Sequence, residues 1–263
     1  MIPLKDNIPT GRTAWLTIAL ILANVVAYLA AIRHGGSLWS GPPADVSVHY
    51  GAIPYELTHP GSHCELAQSP DLNEFIACTG RSGVSGPVPS QPATWLTSLT
   101  AMFMHGSLLH LGGNMLFLWI FGNNIEDAMG RVRFIAFYVL GGLAALAGQV
   151  LIDPSSTVPT IGASGAIAAV LGGYALLYPR ARVVTLVLII FFVTIVEMPA
   201  LIVLGLWFGL QVLYAQAQLG GVAGGGGVAY FAHIGGFLFG LLAIKVFTAG
   251  RKQIPPTQPV YWS

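Results

Sequence analysis

The chain has 263 residues, of which 54% are hydrophobic and only 8% charged, with a formal net charge of +1. A soluble domain of this size needs roughly a quarter of its residues charged, so the composition excludes a soluble globular protein and describes a polytopic membrane protein. Balanced charge without a basic run also excludes nucleic acid as a partner, since that needs a clustered Lys/Arg footprint.

A hydrocarbon core of ~30 Å asks for about 20 mostly apolar residues per helix. In chain order the candidate spans are 13–32, 107–125, 134–152, 164–178, 200–217 and 233–247, which makes six. The first is too long and evenly apolar for a signal-peptide core, and no clear cleavage site follows it, so it reads as a retained anchor. Residues 33–97 then form a large first external loop, rich in Gly, Pro and Ser and partly apolar, for which short helices in the interface are predicted. This loop holds both cysteines, Cys64 and Cys78. A disulfide and two free thiols both fit an oxidising face.

The stretch ARVVTLVLIIFFVTIVEMPA, residues 181–200, reads either as a seventh span or as a segment folded back along the interface. Lysine and arginine decide between them. With six spans, Lys5, Arg12, Arg131, Arg133, Arg180, Arg182, Lys245, Arg251 and Lys252 share one face, leaving Arg33 and Arg81 on the other. The predicted architecture is therefore an all-α polytopic membrane protein: a cytoplasmic N-terminus (1–12), a six-helix membrane domain (13–247) and a cytoplasmic C-terminal tail (248–263).

Polar residues inside lipid are costly and mark function by default. The second span opens HGSLLHLGGNMLF, and His110 and Asn114, four apart, share one helix face. GASGA begins the fourth span at Ser164, and AHIGGFLFG begins the sixth at His233. These three spans run in the same direction, so the four side chains fall in one layer. Alone, Ser164 reads as a helix N-cap; with the others, it reads as a nucleophile with a histidine base.

His105 and His110 lie five apart, about 140° round a helix, no carboxylate shares their depth, and HExxH is absent, so no metal and no cofactor is predicted. Gly165, Gly236 and Gly240 would let the fourth and sixth helices approach closely. Gly112 and Gly113 would do the same for the second and fourth. LGGVAGGGGVAY, residues 219–230, reads as a mobile cap over the layer or as a plain linker.

HGSLLHLGGNMLFLW, GASGA and AHIGGFLFG, in this order on the second, fourth and sixth spans, resemble the rhomboid intramembrane serine proteases of bacterial type over residues 97–247. The resemblance implies a dyad of Ser164 and His233, with His110, Asn114 and the backbone N–H of Ser164 as oxyanion donors. It also implies transmembrane proteins as substrates, cut near their outer ends, and a multi-pass protein of the bacterial inner membrane. Two departures stand out. Many relatives carry Trp-Arg in the first loop, where this chain has Trp95 and Leu96; some carry a tyrosine four residues after the serine, where this chain has Ala168. With no carboxylate placed to orient it, the ring of His233 must be held by packing. The alternatives are a catalytically inactive relative that binds transmembrane clients, and a small-solute transporter using Asn114, Gln149 and Glu197. The sequence leaves the oligomeric state open.

Overall fold

The computed structural model describes residues 1–68, 74–81, 92–189, 192–220 and 228–251. In chain order the first elements are β1 (Ile2–Asp6), α1 (Trp15–Ile32), α2 (Ala44–Tyr50), α3 (Pro54–Thr58), β2 (Cys64–Gln68), β3 (Glu74–Cys78) and α4 (Thr94–Thr100). Next come α5 (Leu108–Phe117), α6 (Asn123–Met129), α7 (Arg131–Ile152) and α8 (Ser164–Leu177). The last are β4 (Arg182–Ile189), β5 (Phe192–Pro199), α9 (Ala200–Leu219) and α10 (Tyr230–Phe247). Among the described residues α1, α7, α9 and α10 are long and apolar enough to cross a membrane. A π-helical turn, Leu118–Gly122, joins α5 to α6 in one continuous helical stretch.

Helix α8 is the axis of the bundle. Its 14 residues reach only about 21 Å at 1.5 Å each, and Gly165 to Ala175 are buried without a break. A helix apolar on every side belongs in a core, and α8 is wrapped by α7 and α10. The glycines explain how closely. A Cβ at Gly236 would collide with the carbonyl oxygen of Gly165, one at Gly240 with that of Ala169, and one at Gly172 with that of Phe237. The α8–α10 contact is thus backbone against backbone, the small-residue packing that membrane helices use in place of a hydrophobic driving force. Gly165 also admits α7, because its Cβ would lie 2.6 Å from that of Ala145.

The fold is mostly helical rather than all-α. Residues 182–189 and 192–199 form no spanning helix: the segment folds back as an antiparallel hairpin of β4 and β5, and β1 joins it in the order β1-β4-β5. Runs of β-branched residues pack well on a pleated surface, and RVVTLVLI with FVTIVEMP is such a run. A second hairpin, β2–β3, lies in the first loop beside the predicted short helices α2 and α3, and Cys64 and Cys78 face each other across it in a disulfide.

The long helix α7 separates two ends of the molecule. At its start lie β1, β4 and α6: Gly11 N–H donates to Asp127 (2.6 Å), and Arg133 donates to the carbonyls of Phe247 and Ala249 (3.1 and 2.8 Å). Glu126, 3% exposed, caps α1 by accepting from the N–H groups of Leu16 and Thr17 and from the Thr17 hydroxyl (3.1, 2.7 and 2.8 Å). At the far end of α7, Tyr55 N–H donates to Ser156 (3.0 Å) and Ala52 exchanges two hydrogen bonds with Thr160. The first loop is thereby tied to the segment that leads into α8. Trp95, near the start of α4, is 68% exposed.

Asp6 ends β1 against the helices, accepting from Tyr174 Oη and Asn124 Nδ2 (both 2.5 Å). Burial raises its carboxyl from the ordinary 3.8 to about 6, against the lowering pull of the Tyr174 hydrogen bond. Between these two values the folded state holds the extra proton, so this group's contribution to stability falls as pH rises through the window. Asp6→Asn, which cannot ionise, is expected to gain in melting temperature relative to the unsubstituted protein as pH rises from about 4 to 6.5. Thermal unfolding in detergent across that range checks it, and a difference that stays flat counts against the burial.

Candidate active site

The approach to Ser164 is fixed by Gly162. Its φ of +117° is a conformation side chains rarely adopt, and a Cβ there would lie 2.9 Å from Cε1 and Nε2 of His110. The Gly162 N–H donates to the Ala101 carbonyl (2.8 Å), which pins the turn. Ala163 occupies the N-cap of α8 and makes no side-chain cap. The N-cap reading of Ser164 therefore fails, because the serine is the first helical residue and its Oγ instead lies 2.8 Å from His233 Nε2.

His233 sits in the first turn of α10, a site reached through the Gly236 and Gly240 contacts below it. Its Nδ1 is 2.8 Å from Gln211 Oε1 on α9. The Trp207 ring lies 5.8 Å away, tilted by 37°, and Tyr230 is edge-on at 6.4 Å. The ring thus has the packing neighbours expected of it and, beyond that expectation, a side-chain hydrogen bond to α9. Sequence reasoning passed over Gln211 and Trp207. The signal was present, since a glutamine inside an apolar helix is expensive and lies one turn from the tryptophan.

His110 and Asn114 are brought to the same place from α5. Ser107 caps that helix, accepting from the His110 N–H (3.1 Å). His110 Nδ1 accepts from the Gly106 N–H at 3.4 Å, so the hydrogen-bond network assigns the ring proton to Nε2, the atom beside Gly162. Asn114 is 9% exposed, and its Nδ2 is buried without a partner. That amide lies 3.6 Å from where a Gly162 Cβ would stand. Ser164, His233, His110, Asn114, Met102 and Trp207 all line one cavity of about 560 Å³, with exposed Gly106 and Leu109 at its edge.

Other expectations change. A Cβ at Gly112 or Gly113 would meet open space, so those glycines do not bring α5 to α8; Gly162 makes the junction. His105 lies ahead of α5 rather than on it, and its buried ring meets that of His110 edge-on at 5.0 Å, so a helical angle does not separate them. No group of three metal-ligating side chains occurs among the described residues. Gln149 and Glu197 do not line the cavity that Asn114 lines, and Glu197 pairs with Arg182 (3.8 Å) on the hairpin. Most of the glycine-rich cap, 221–227, lies outside the described residues.

The Rhomboid domain family matches residues 92–249, which takes in every side chain of this cavity except Ala52. The chain is 30% identical over 151 residues to Rhomboid protein 1, mitochondrial, of Saccharomyces cerevisiae, covering 56% of this chain and 40% of that protein. It is 29% identical over 158 residues to the presenilin-associated rhomboid-like protein, mitochondrial, of Mus musculus, covering 59% and 38% respectively. It is also 35% identical over 74 residues to RHOMBOID-like protein 5 of Arabidopsis thaliana, covering 28% and 24%. The matched segments thus span well under half the length of these relatives. With the motifs of α5, α8 and α10 converging on one cavity inside the matched region, the chain belongs to the rhomboid family.

Proposed function

We propose that the protein is an intramembrane serine endopeptidase that cleaves transmembrane segments of other membrane proteins. One observation carries the reading: Ser164 Oγ lies 2.8 Å from His233 Nε2 in a cavity that also holds the unpaired Asn114 amide. A serine is a weak nucleophile until a base takes its proton. His233 Nε2 accepts that proton as Oγ bonds to the scissile carbonyl carbon, then returns it to the departing amine. Water repeats the cycle on the acyl-enzyme with the same base. Negative charge on the carbonyl oxygen needs donors already in place. Asn114 Nδ2, His110 Nε2 and the Ser164 N–H supply them, and the positive end of the α8 dipole lies at the same spot.

In this reading six helices cross the bilayer, α8 and the α5–α6 stretch joining the four longer ones in the domain 13–247, with 33–97 as the external loop. Residues 1–12 and 248–263 are then the cytoplasmic termini. The basic residues support this orientation, because Lys5, Arg12, Arg131, Arg133 and Arg182 cluster at the end where α7 starts while Arg81 lies in the disulfide-bonded loop at the other. A bilayer location and substrates presented as helices go with this reading, and the bacterial inner membrane is the location that the motif resemblance implies. The test incubates the purified protein in liposomes with a panel of model transmembrane substrates and maps the cuts by mass spectrometry. Cuts near the outer ends of the substrate helices are expected. Cleavage confined to soluble segments, or none across the panel, would overturn the reading.

A further inference from the structure

We infer that Gln211 is the positioning residue of this site, a neutral third member that fixes the tautomer and orientation of His233; the inference rests on the proposed serine-protease reading. A general base can act only if its reacting nitrogen carries a lone pair, and a neutral imidazole has two tautomers of similar energy. Something must choose. Gln211 Oε1 lies 2.8 Å from His233 Nδ1, on the side of the ring away from Ser164.

An amide can turn either end toward a neighbour, so the choice depends on what holds the amide. Here Gln211 Nε2 donates to the Trp207 carbonyl (3.2 Å), one turn earlier on α9. That bond commits the nitrogen of the side chain to α9 and leaves only the oxygen to face the imidazole. An oxygen accepts, so His233 must carry its proton on Nδ1. Its Nε2 is then the lone pair facing the Ser164 hydroxyl, which is the arrangement proton transfer requires.

The same contact fixes the ring in space. Gln211 is 9% exposed, so its side chain is confined. The Trp207 ring, 5.8 Å from the imidazole at 37°, supports one side of it from the same helix. Two residues of α9 thus supply both the hydrogen bond and the ring contact that fix the base. A buried aspartate serves this purpose in serine proteases that use a charged triad. A neutral glutamine does so without placing a carboxylate at membrane depth, which would be costly.

The experiment compares Gln211→Met and Gln211→Glu with the unsubstituted protein, recording kcat, KM for a transmembrane substrate, and melting temperature, with Ser164→Ala in parallel. Gln211→Met keeps the length of the side chain and removes the acceptor; kcat is expected to fall at least tenfold with KM and melting temperature little changed. Gln211→Glu keeps an acceptor and buries a charge; it is expected to recover most of kcat despite a lower melting temperature. Activity and stability then move in opposite order across the two variants, which a merely structural residue cannot produce. An unchanged kcat in Gln211→Met, or kcat following melting temperature in both variants, would overturn the inference. Cleavage surviving in Ser164→Ala would instead overturn the protease reading, so the two failures are told apart.

Discussion

Ser164→Ala and His233→Ala are each expected to remove turnover of a transmembrane substrate, by on the order of 10⁴-fold or more, while leaving the fold intact. The reason is geometric. Ser164 and His233 share one hydrogen bond of 2.8 Å, and in the proposed mechanism neither does chemistry without the other. Their losses should therefore not add: the double variant should be no slower than either single one. Stability should be nearly untouched by Ser164→Ala, because the serine caps nothing and its hydroxyl bonds only to the imidazole among the hydrogen bonds described. Turnover measured beside thermal unfolding checks this, and a His233→Ala protein that retains a tenth of normal turnover would break the pairing.

Asn114→Ala is the second large effect, and its signature differs. Removing one donor from a preorganised oxyanion hole costs on the order of 10² to 10³ in rate, about 3 to 4 kcal/mol. In the resting structure Asn114 Nδ2 is buried with no partner, a state that itself costs about 1 to 3 kcal/mol. In the proposed mechanism, a donor that bonds nothing at rest and lines the cavity of Ser164 is held for a charge that appears only during reaction. Alanine at this position is therefore expected to cut turnover a hundredfold or more while melting temperature stays level or rises. Labelling of Ser164 by a fluorophosphonate should remain detectable, since the dyad survives. A parallel fall of stability and activity would instead make Asn114 a tie between helices.

How much of this was legible depended on the range of the interactions. The lipid-crossing helices follow from local composition, and the predicted start of α8 at Ser164 and of α9 at Ala200 agree with the structure to the residue. The convergence of His110, Asn114, Ser164 and His233 was also readable, because each lies in the first turns of a helix and depth is set by register. The sheet was not. Its β1 strand pairs with residues about 180 positions away, Ile2 with Leu186, and no local pattern in IPLKD announces a partner that distant. Nor could spacing decide the disulfide, which depends on β2 and β3 folding into register.

Gln211 shows a different limit. Its helix face is visible in the sequence, but its importance comes from which way its amide points, and that is set by a carbonyl of its own helix and a ring on α10. The tyrosine missing at Ala168 announced that some other residue must hold the imidazole. Only the packing of α9 beside α10 says which one. The same holds for Gly162, whose need for glycine comes from His110, a residue on another helix.

The most direct test of the Ser164–His233 pairing is covalent labelling of the purified protein with a fluorophosphonate, followed by mass spectrometric mapping of the adduct in the unsubstituted protein and in His233→Ala. A single adduct on Ser164, lost or slowed by orders of magnitude when His233 is removed, is the expected result. An adduct on another residue, or equal labelling of Ser164 in both proteins, would contradict it.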